Sequence, residues 1–191
     1  MLPEQVLIEK LKQGDEAAFK SIVEQWQDMV YNTVLGIVQN ETEAEDITQE
    51  VFIKVFESIS AFKGESKFST WLYRIAVTRS LELLRSKKRK KRFAFLQPIF
   101  GSDLADNLPS PEFNHPGVQL DNKERAARLF TAIEKLPENQ KAAFVLHKLE
   151  GLSYKEIGDV LKTSIPAVES LMNRAKTNLK KILEEFYRND R

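Results

Sequence analysis

Hydrophobic residues recur every three to four positions along nearly the whole chain, and this pattern fails once, between Phe93 and Asn122. There Pro98, Gly101, Pro109, Pro111, Pro116 and Gly117 punctuate a stretch without period. At about thirty residues it is too long for a connection inside one compact domain. The interruption therefore divides the chain into two blocks, each of which must bury a core of its own. Neither block shows the alternation of a strand. The fold class is all-α: two small helical domains, 1–92 and 123–191, joined by a flexible linker, 93–122. The linker carries an apolar cluster, Phe93, Phe95, Leu96, Ile99 and Phe100, suited to packing on the first domain or lying in a partner's groove.

In the first block a short helix is predicted from Pro3 to Lys12, broken at Gly14-Asp15, and a second from Glu16 to Val38. Asn40 and Thr42 offer caps for a third helix reaching Ile59, and Thr42 with Glu45 fits a capping box. Its buried stripe is Ala44, Ile47, Val51 and Val55. On the opposite side Asp46, Gln49 and Glu50 surround Ile53, so an apolar residue sits within an acidic face. After the loop Lys63 to Phe68, the run STWLYRIAVTRSLELLRSKKRKKR from Ser69 to Arg92 reads as one long helix capped by Ser69 or Thr70. Leu72, Ile75, Ala76 and Leu83 form its buried stripe, and Arg74, Thr78, Arg85 and Lys88 lie on another. Closely spaced cations toward one end suit a polyanion, because phosphates release counterions to them. The plainer reading is a solvated helix end that complements the helix dipole.

The net charge of +1 hides this segregation, since the acidic third helix directly precedes the basic fourth. An apolar content of 42% suffices for packed cores. The absence of cysteine excludes disulfides and thiolate metal sites. The N-terminal residues lack the apolar run of a signal peptide, and no window approaches the roughly 20 apolar residues of a membrane span. The expected location is cytoplasmic.

The second block begins near Lys123, with Asp121 or Asn122 as cap, and Pro137 stops its first helix. Asn139 to Leu149 follows, closed by Gly151. Ser153 and Glu156 make a capping box for a short helix to Leu161. A tight turn, Lys162 to Ser164, leads into the last helix, Ile165 to Phe186, with Pro166 in its first turn. The last pair has helix-turn-helix dimensions. Val168, Leu171, Met172, Ala175, Leu179 and Ile182 supply its core, while Glu169, Ser170, Asn173, Arg174 and Thr177 face away. Such polar side chains near a helix N-terminus suit base edges in the major groove, and the plainer reading is an ordinary helical hairpin with a polar outer face.

Several runs at consistent spacing carry a family resemblance. They are DITQEVF from Asp46 to Phe52, FSTWLYRIA from Phe68 to Ala76, and Leu136-Pro137-Glu138. To these add EGLSYKEI from Glu150 to Ile157 and AVES from Ala167 to Ser170. The chain resembles bacterial sigma factors of the extracytoplasmic-function group across both helical blocks. The resemblance implies that Asp46, Gln49, Glu50 and Ile53 dock on core RNA polymerase. It implies contacts to the promoter minus-ten element from Lys63, Lys67, Phe68, Ser69, Trp71, Arg74, Thr78, Arg85 and Lys88, with a flipped base captured by the loop. Ser164, Pro166, Glu169, Ser170, Asn173 and Arg174 would contact the minus-thirty-five element. The partners implied are core RNA polymerase, promoter DNA and an anti-sigma factor, with the free protein a monomer and no cofactor.

Three departures from the family pattern stand out. Thr78 and Glu82 replace a common Asn and Asp, which alters the expected minus-ten preference. Lys162 replaces a frequent turn glycine, so the turn is expected to avoid a left-handed residue there. Glu169 replaces a frequent Lys, exchanging a phosphate contact for an acceptor toward cytosine.

An enzyme is excluded on residue content. His115 and His147 lie apart, Glu112 and His115 make one isolated Glu-x-x-His among prolines, and no phosphate loop or nucleophile constellation occurs. A stand-alone helix-turn-helix regulator would need a dimer face that is not evident. A protein-only adaptor leaves Arg85 to Arg92 unexplained.

Overall fold

The computed structural model describes residues 3–96 and 123–189, which form eight α-helices and no strand among them. Ile99, Phe100, His115 and the expected caps Asp121 and Asn122 lie outside the described residues. Helices α1 (Glu4–Lys12), α2 (Glu16–Val38), α3 (Glu41–Ser58) and α4 (Phe68–Leu96) build the N-terminal unit, with a 3₁₀ turn, Ile59–Ala61, after α3.

Local chemistry sets these ends. The Asp15 carboxylate accepts from the Ala18 N–H at 3.0 Å and opens α2. Asn40 does the same for α3, accepting from the Glu43 N–H at 2.9 Å. The Thr42–Glu45 box is therefore not made: Thr42 already lies inside the first turn, because the stronger cap two residues earlier starts the helix sooner. Helix α4 begins at Phe68 and runs past Arg92 to Leu96, since nothing before Pro98 breaks it.

α2, α3 and α4 pack on one another around Val30, Val34, Ile37, Ala44, Val51, Val55, Leu72 and Ala76, all essentially closed to solvent. At one end of this core Trp26, Phe62, Phe68 and Trp71 interlock. Phe68 sits 5.5 Å from Phe62, 5.7 Å from Trp71 and 6.2 Å from Trp26, ring centre to ring centre. The loop 63–67 rests on this cluster.

The C-terminal unit comprises α5 (Lys123–Glu134), α6 (Glu138–Lys148), α7 (Tyr154–Leu161) and α8 (Ile165–Asn189), with α8 touching the other three. The capping box of α7 is present in both halves: Ser153 Oγ accepts from the Glu156 N–H, and the Glu156 carboxylate accepts from the Ser153 N–H at 3.1 Å. Gly151 takes φ +71° in the turn beyond α6.

The α7–α8 turn differs from expectation. Lys162 itself adopts the left-handed conformation, φ 52° and ψ 49°. The reason is Gly158, whose Cα lies so close to the turn that an added Cβ would stand 2.9 Å from the Thr163 carbonyl oxygen. The Thr163 N–H donates back to the Gly158 carbonyl at 2.9 Å, which only a left-handed residue at 162 permits. The fold keeps the turn and tolerates the lysine, whose side chain is exposed.

Candidate nucleic-acid interface

On α3, Asp46, Gln49 and Glu50 are exposed, and Ile53 among them is 57% exposed. Ala44, Ile47, Val51 and Val55 are buried on the other side, as the spacing predicts. Phe56, one turn beyond Ile53, is also exposed and touches Phe19 edge-on at 5.2 Å, which widens the apolar part of this face.

The predicted minus-ten residues fall into two groups. Lys63, Lys67, Thr78, Arg85 and Lys88 are exposed, while Ser69, Trp71 and Arg74 are half-buried. Phe68, at 1% exposed, points into the aromatic cluster. It lies beneath the loop 63–67 and presents no surface of its own.

Most of the predicted minus-ten cations are already engaged across the two units. Lys67 pairs with Glu156 at 3.1 Å, and Arg74 donates to the Asp159 carbonyl at 2.7 Å. Arg85 and Lys88 both hold Glu138, at 2.8 and 3.0 Å. Between these points the Tyr73 hydroxyl lies 3.2 Å from Glu150, near Thr33 of α2. Thus α4 packs along α6 and α7, and α2 packs on α6. The loop 61–67 and the start of α8 at Ser164 line one cavity of about 1030 Å³ between the two units.

The electrostatics follow from that packing. Burial pushes the Glu150 carboxyl up to about 7, with Tyr73 and Thr33 hydrogen bonds opposing the rise. Burial likewise raises the Tyr73 phenol, reinforced by the Glu150 charge. Glu138 is held below the ordinary carboxylate value: partial burial resists, and the Lys88 and Arg85 hydrogen bonds outweigh it. Glu156 falls to about 2, chiefly through the Ser153 N–H and hydroxyl, then Lys67. Lys141, buried in α6, is brought down to about 8 by desolvation.

At the head of the last helix, Ser164 caps α8, with its oxygen 3.4 Å from the Ala167 N–H. Pro166, Glu169, Asn173, Arg174 and Thr177 are exposed and Ser170 half-buried, over the buried Val168, Met172, Ala175 and Leu179. His147 is spent structurally, its Nδ1 lying 2.9 Å from the Leu152 carbonyl oxygen. No group of His, Asp or Glu fit to hold a metal occurs among the described residues.

Sequence reasoning missed Tyr73, Glu138, Glu150 and Glu156 as partners across the two units. Glu156 carried a visible local signal, the capping box, which gave no hint of Lys67.

Family models for sigma-70 region 2 and sigma-70 region 4 match residues 22–90 and 126–179. The RNA polymerase sigma-H factor of Pseudomonas aeruginosa is 31% identical over 97% of this chain and 96% of its own length. The ECF RNA polymerase sigma-E factor of Escherichia coli is 33% identical over 92% of this chain and 91% of its own. The chain is an extracytoplasmic-function sigma factor. Sigma factors are transcription initiation factors, not enzymes, in keeping with the residue content. The fold agrees with CnrH, solved in complex with the cytosolic domain of CnrY, at a TM-score of 0.66 and 22% identity over 95% of this chain and 97% of that one. It agrees also with RpoE of Bartonella quintana, solved with the anti-sigma factor NepR, at 0.64 and 19% over 87% and 96%. In this sigma factor α2–α4 carry region 2 and α5–α8 region 4. No described helix is long and apolar enough to cross a membrane.

Proposed function

We propose that this sigma factor docks on core RNA polymerase through Asp46, Gln49, Glu50 and Ile53 and then reads both promoter elements. The observation that carries this reading is Ile53, 57% exposed at the centre of an acidic helix face whose reverse side is fully buried. An isolated helix gains nothing from such a residue, and carboxylates this close mildly oppose helix formation. A basic partner surface with an apolar centre makes sense of both, with charge steering encounter and the apolar contact slowing release.

Ser164, Pro166, Glu169, Ser170, Asn173 and Arg174 at the head of α8 read the minus-thirty-five element. The loop 63–67 with Ser69 and Trp71 captures a base extruded from the minus-ten element, while Arg74, Thr78, Arg85 and Lys88 hold the melted strand. The units divide at 1–92 and 123–191, with 93–122 as linker. An anti-sigma factor is a fitting partner, as in the complex of RpoE with the anti-sigma factor NepR. The free protein is a monomer and works in the cytoplasm, where transcription takes place.

The test is reconstitution with core polymerase on templates whose start sites are mapped after overexpression. Replacing Asp46 and Glu50 together by Lys abolishes polymerase capture and promoter-dependent transcripts while helical content stays unchanged. Undiminished capture by that variant refutes the docking face. Tight duplex recognition without polymerase would instead favour a stand-alone regulator.

A further inference from the structure

Resting on the assignment of α8 to the minus-thirty-five element, we propose that Lys162 is a further DNA contact of this chain, an ammonium held at the edge of the major groove to neutralise one backbone phosphate. The starting point is a conformation. Among the described residues, Gln39 and Lys162 are the non-glycine residues with a positive φ. Gln39 is 5% exposed, so its side chain belongs to the packed interior. Lys162 is exposed, and among the described residues its ammonium meets no hydrogen-bond or ion-pair partner. Asp159, three residues earlier on α7, is exposed as well and makes no ion pair with it.

The turn asks nothing of that side chain. It is fixed by the Thr163 N–H bonded to the Gly158 carbonyl and by the close approach of Gly158. Glycine would adopt the same backbone without strain. A strained residue with an idle side chain, beside the head of a DNA-reading helix, points to a use outside the folded chain.

The place fits a phosphate. In a helix-turn-helix the second helix sets its first residues on base edges, while the first helix crosses the sugar-phosphate backbone. Lys162 ends that crossing, directly after α7 and two residues before Ser164, the cap of α8. Lys155, exposed in the first turn of α7, opens on the same cavity as Lys162 and Ser164, so both ammonium groups share one side of the motif. Of the carboxylates on that side, Glu156 is already held by Ser153 and Lys67. A lysine is a compact charge on a flexible stem, suited to a phosphate and carrying no sequence preference. Stability and binding therefore pull in opposite directions at 162, and glycine there separates them.

The test uses holoenzyme assembled from core polymerase and the full chain, on a fluorescent duplex promoter located by its mapped start site and kept closed at low temperature. Parent, K162G, K162Q, K162R and a control on α1, K12Q, are compared between about 50 and 200 mM salt. In K162G and K162Q affinity falls about eightfold at about 0.1 M salt, and the log–log salt slope shrinks by about 0.9, the share of one phosphate. K162R and K12Q keep both values. The loss is equal on a template with an altered minus-thirty-five element, because a phosphate carries no sequence. K162G still unfolds at higher urea than the parent, so a damaged turn does not account for its loss. The contact is overturned if K162Q keeps the parent's affinity and slope, if K162R loses as much as K162Q, or if the loss is confined to the preferred sequence. A parent holoenzyme indifferent to alteration of the minus-thirty-five element would overturn the reading of α8 itself.

Discussion

Replacing Gly158 by Ala sets two effects of known size against each other. Gly158 lies inside α7, where Ala is favoured over Gly by about 0.8–1 kcal/mol on helix propensity. Against this, the new Cβ would sit 2.9 Å from the Thr163 carbonyl oxygen, a backbone atom, and 4.0 Å from Val168 Cγ2. Thr163 cannot retreat freely, because its N–H is bonded to Gly158 and Lys162 already holds a left-handed conformation. Overpacking of this kind costs about 1–3 kcal/mol. The clash outweighs propensity, and the variant is destabilised by about 1 kcal/mol, equivalent to a fall in melting temperature of about 4–8 °C for a unit this small. Urea unfolding followed by circular dichroism measures it. The double variant G158A/K162G loses less than the sum of the single effects, because glycine at 162 lets the turn move aside. A G158A protein as stable as the parent, or more so, would show that propensity governs and that the close approach is not a constraint.

Other outcomes follow from the same structure. K162G alone relieves a left-handed lysine costing about 1–2 kcal/mol and returns part of that as chain entropy; a net gain of about 0.5–1 kcal/mol in urea unfolding is expected, and a loss contradicts it. Phe68→Ala empties the centre of the aromatic cluster and costs about 3–5 kcal/mol in the same assay; a loss under about 1 kcal/mol would mean that Phe68 is not the keystone of the loop. Glu150 faces Tyr73 of α4 and Thr33 of α2, with Glu156 close enough to act on the same phenol, and its carboxyl is raised to about 7. A raised carboxyl stabilises the packed fold when protonated, so this contribution is fully present below about pH 4.5 and is lost as pH rises through about 7. Urea unfolding followed from pH 5.5 to 8 reports this, and E150Q flattens the profile; a slope that survives E150Q refutes the assignment. Lys141→Met removes a buried amine and raises stability at pH 7 by about 1 kcal/mol in urea unfolding, where a loss would show that its charge is satisfied.

How far the chain could be read beforehand depended on the range of each interaction. Helices α1–α8 followed from apolar spacing, because burial of one stripe is a local property of the sequence. The Ser153–Glu156 box was legible for the same reason, since both partners lie within one turn. Asn40 and Thr42 could not be ranked from pattern alone, because both have capping chemistry and only the entry of the chain decides. Lys162 was misjudged because residue preference was weighed without the Gly158 approach that forces the turn. Glu138 and Glu150 were silent: an exposed glutamate and one paired with a residue 50 or more positions away look alike in sequence. The exposed Ile53 on the acidic side of α3 was legible because it breaks the expected pattern of a solvated surface, and an anomaly is visible where a regularity is not.

The aromatic cluster has a consequence of an optical kind. The chain has 2 tryptophans, Trp26 and Trp71, and both stand in that cluster under the loop 63–67. Region 4 has none, so the intrinsic emission of the whole molecule originates at one spot. A nucleobase stacking on the half-buried Trp71 would quench that light directly, whereas DNA bound at α8 would leave it dark to the event. The protein thus carries a built-in reporter whose signal separates strand capture from duplex contact without any dye.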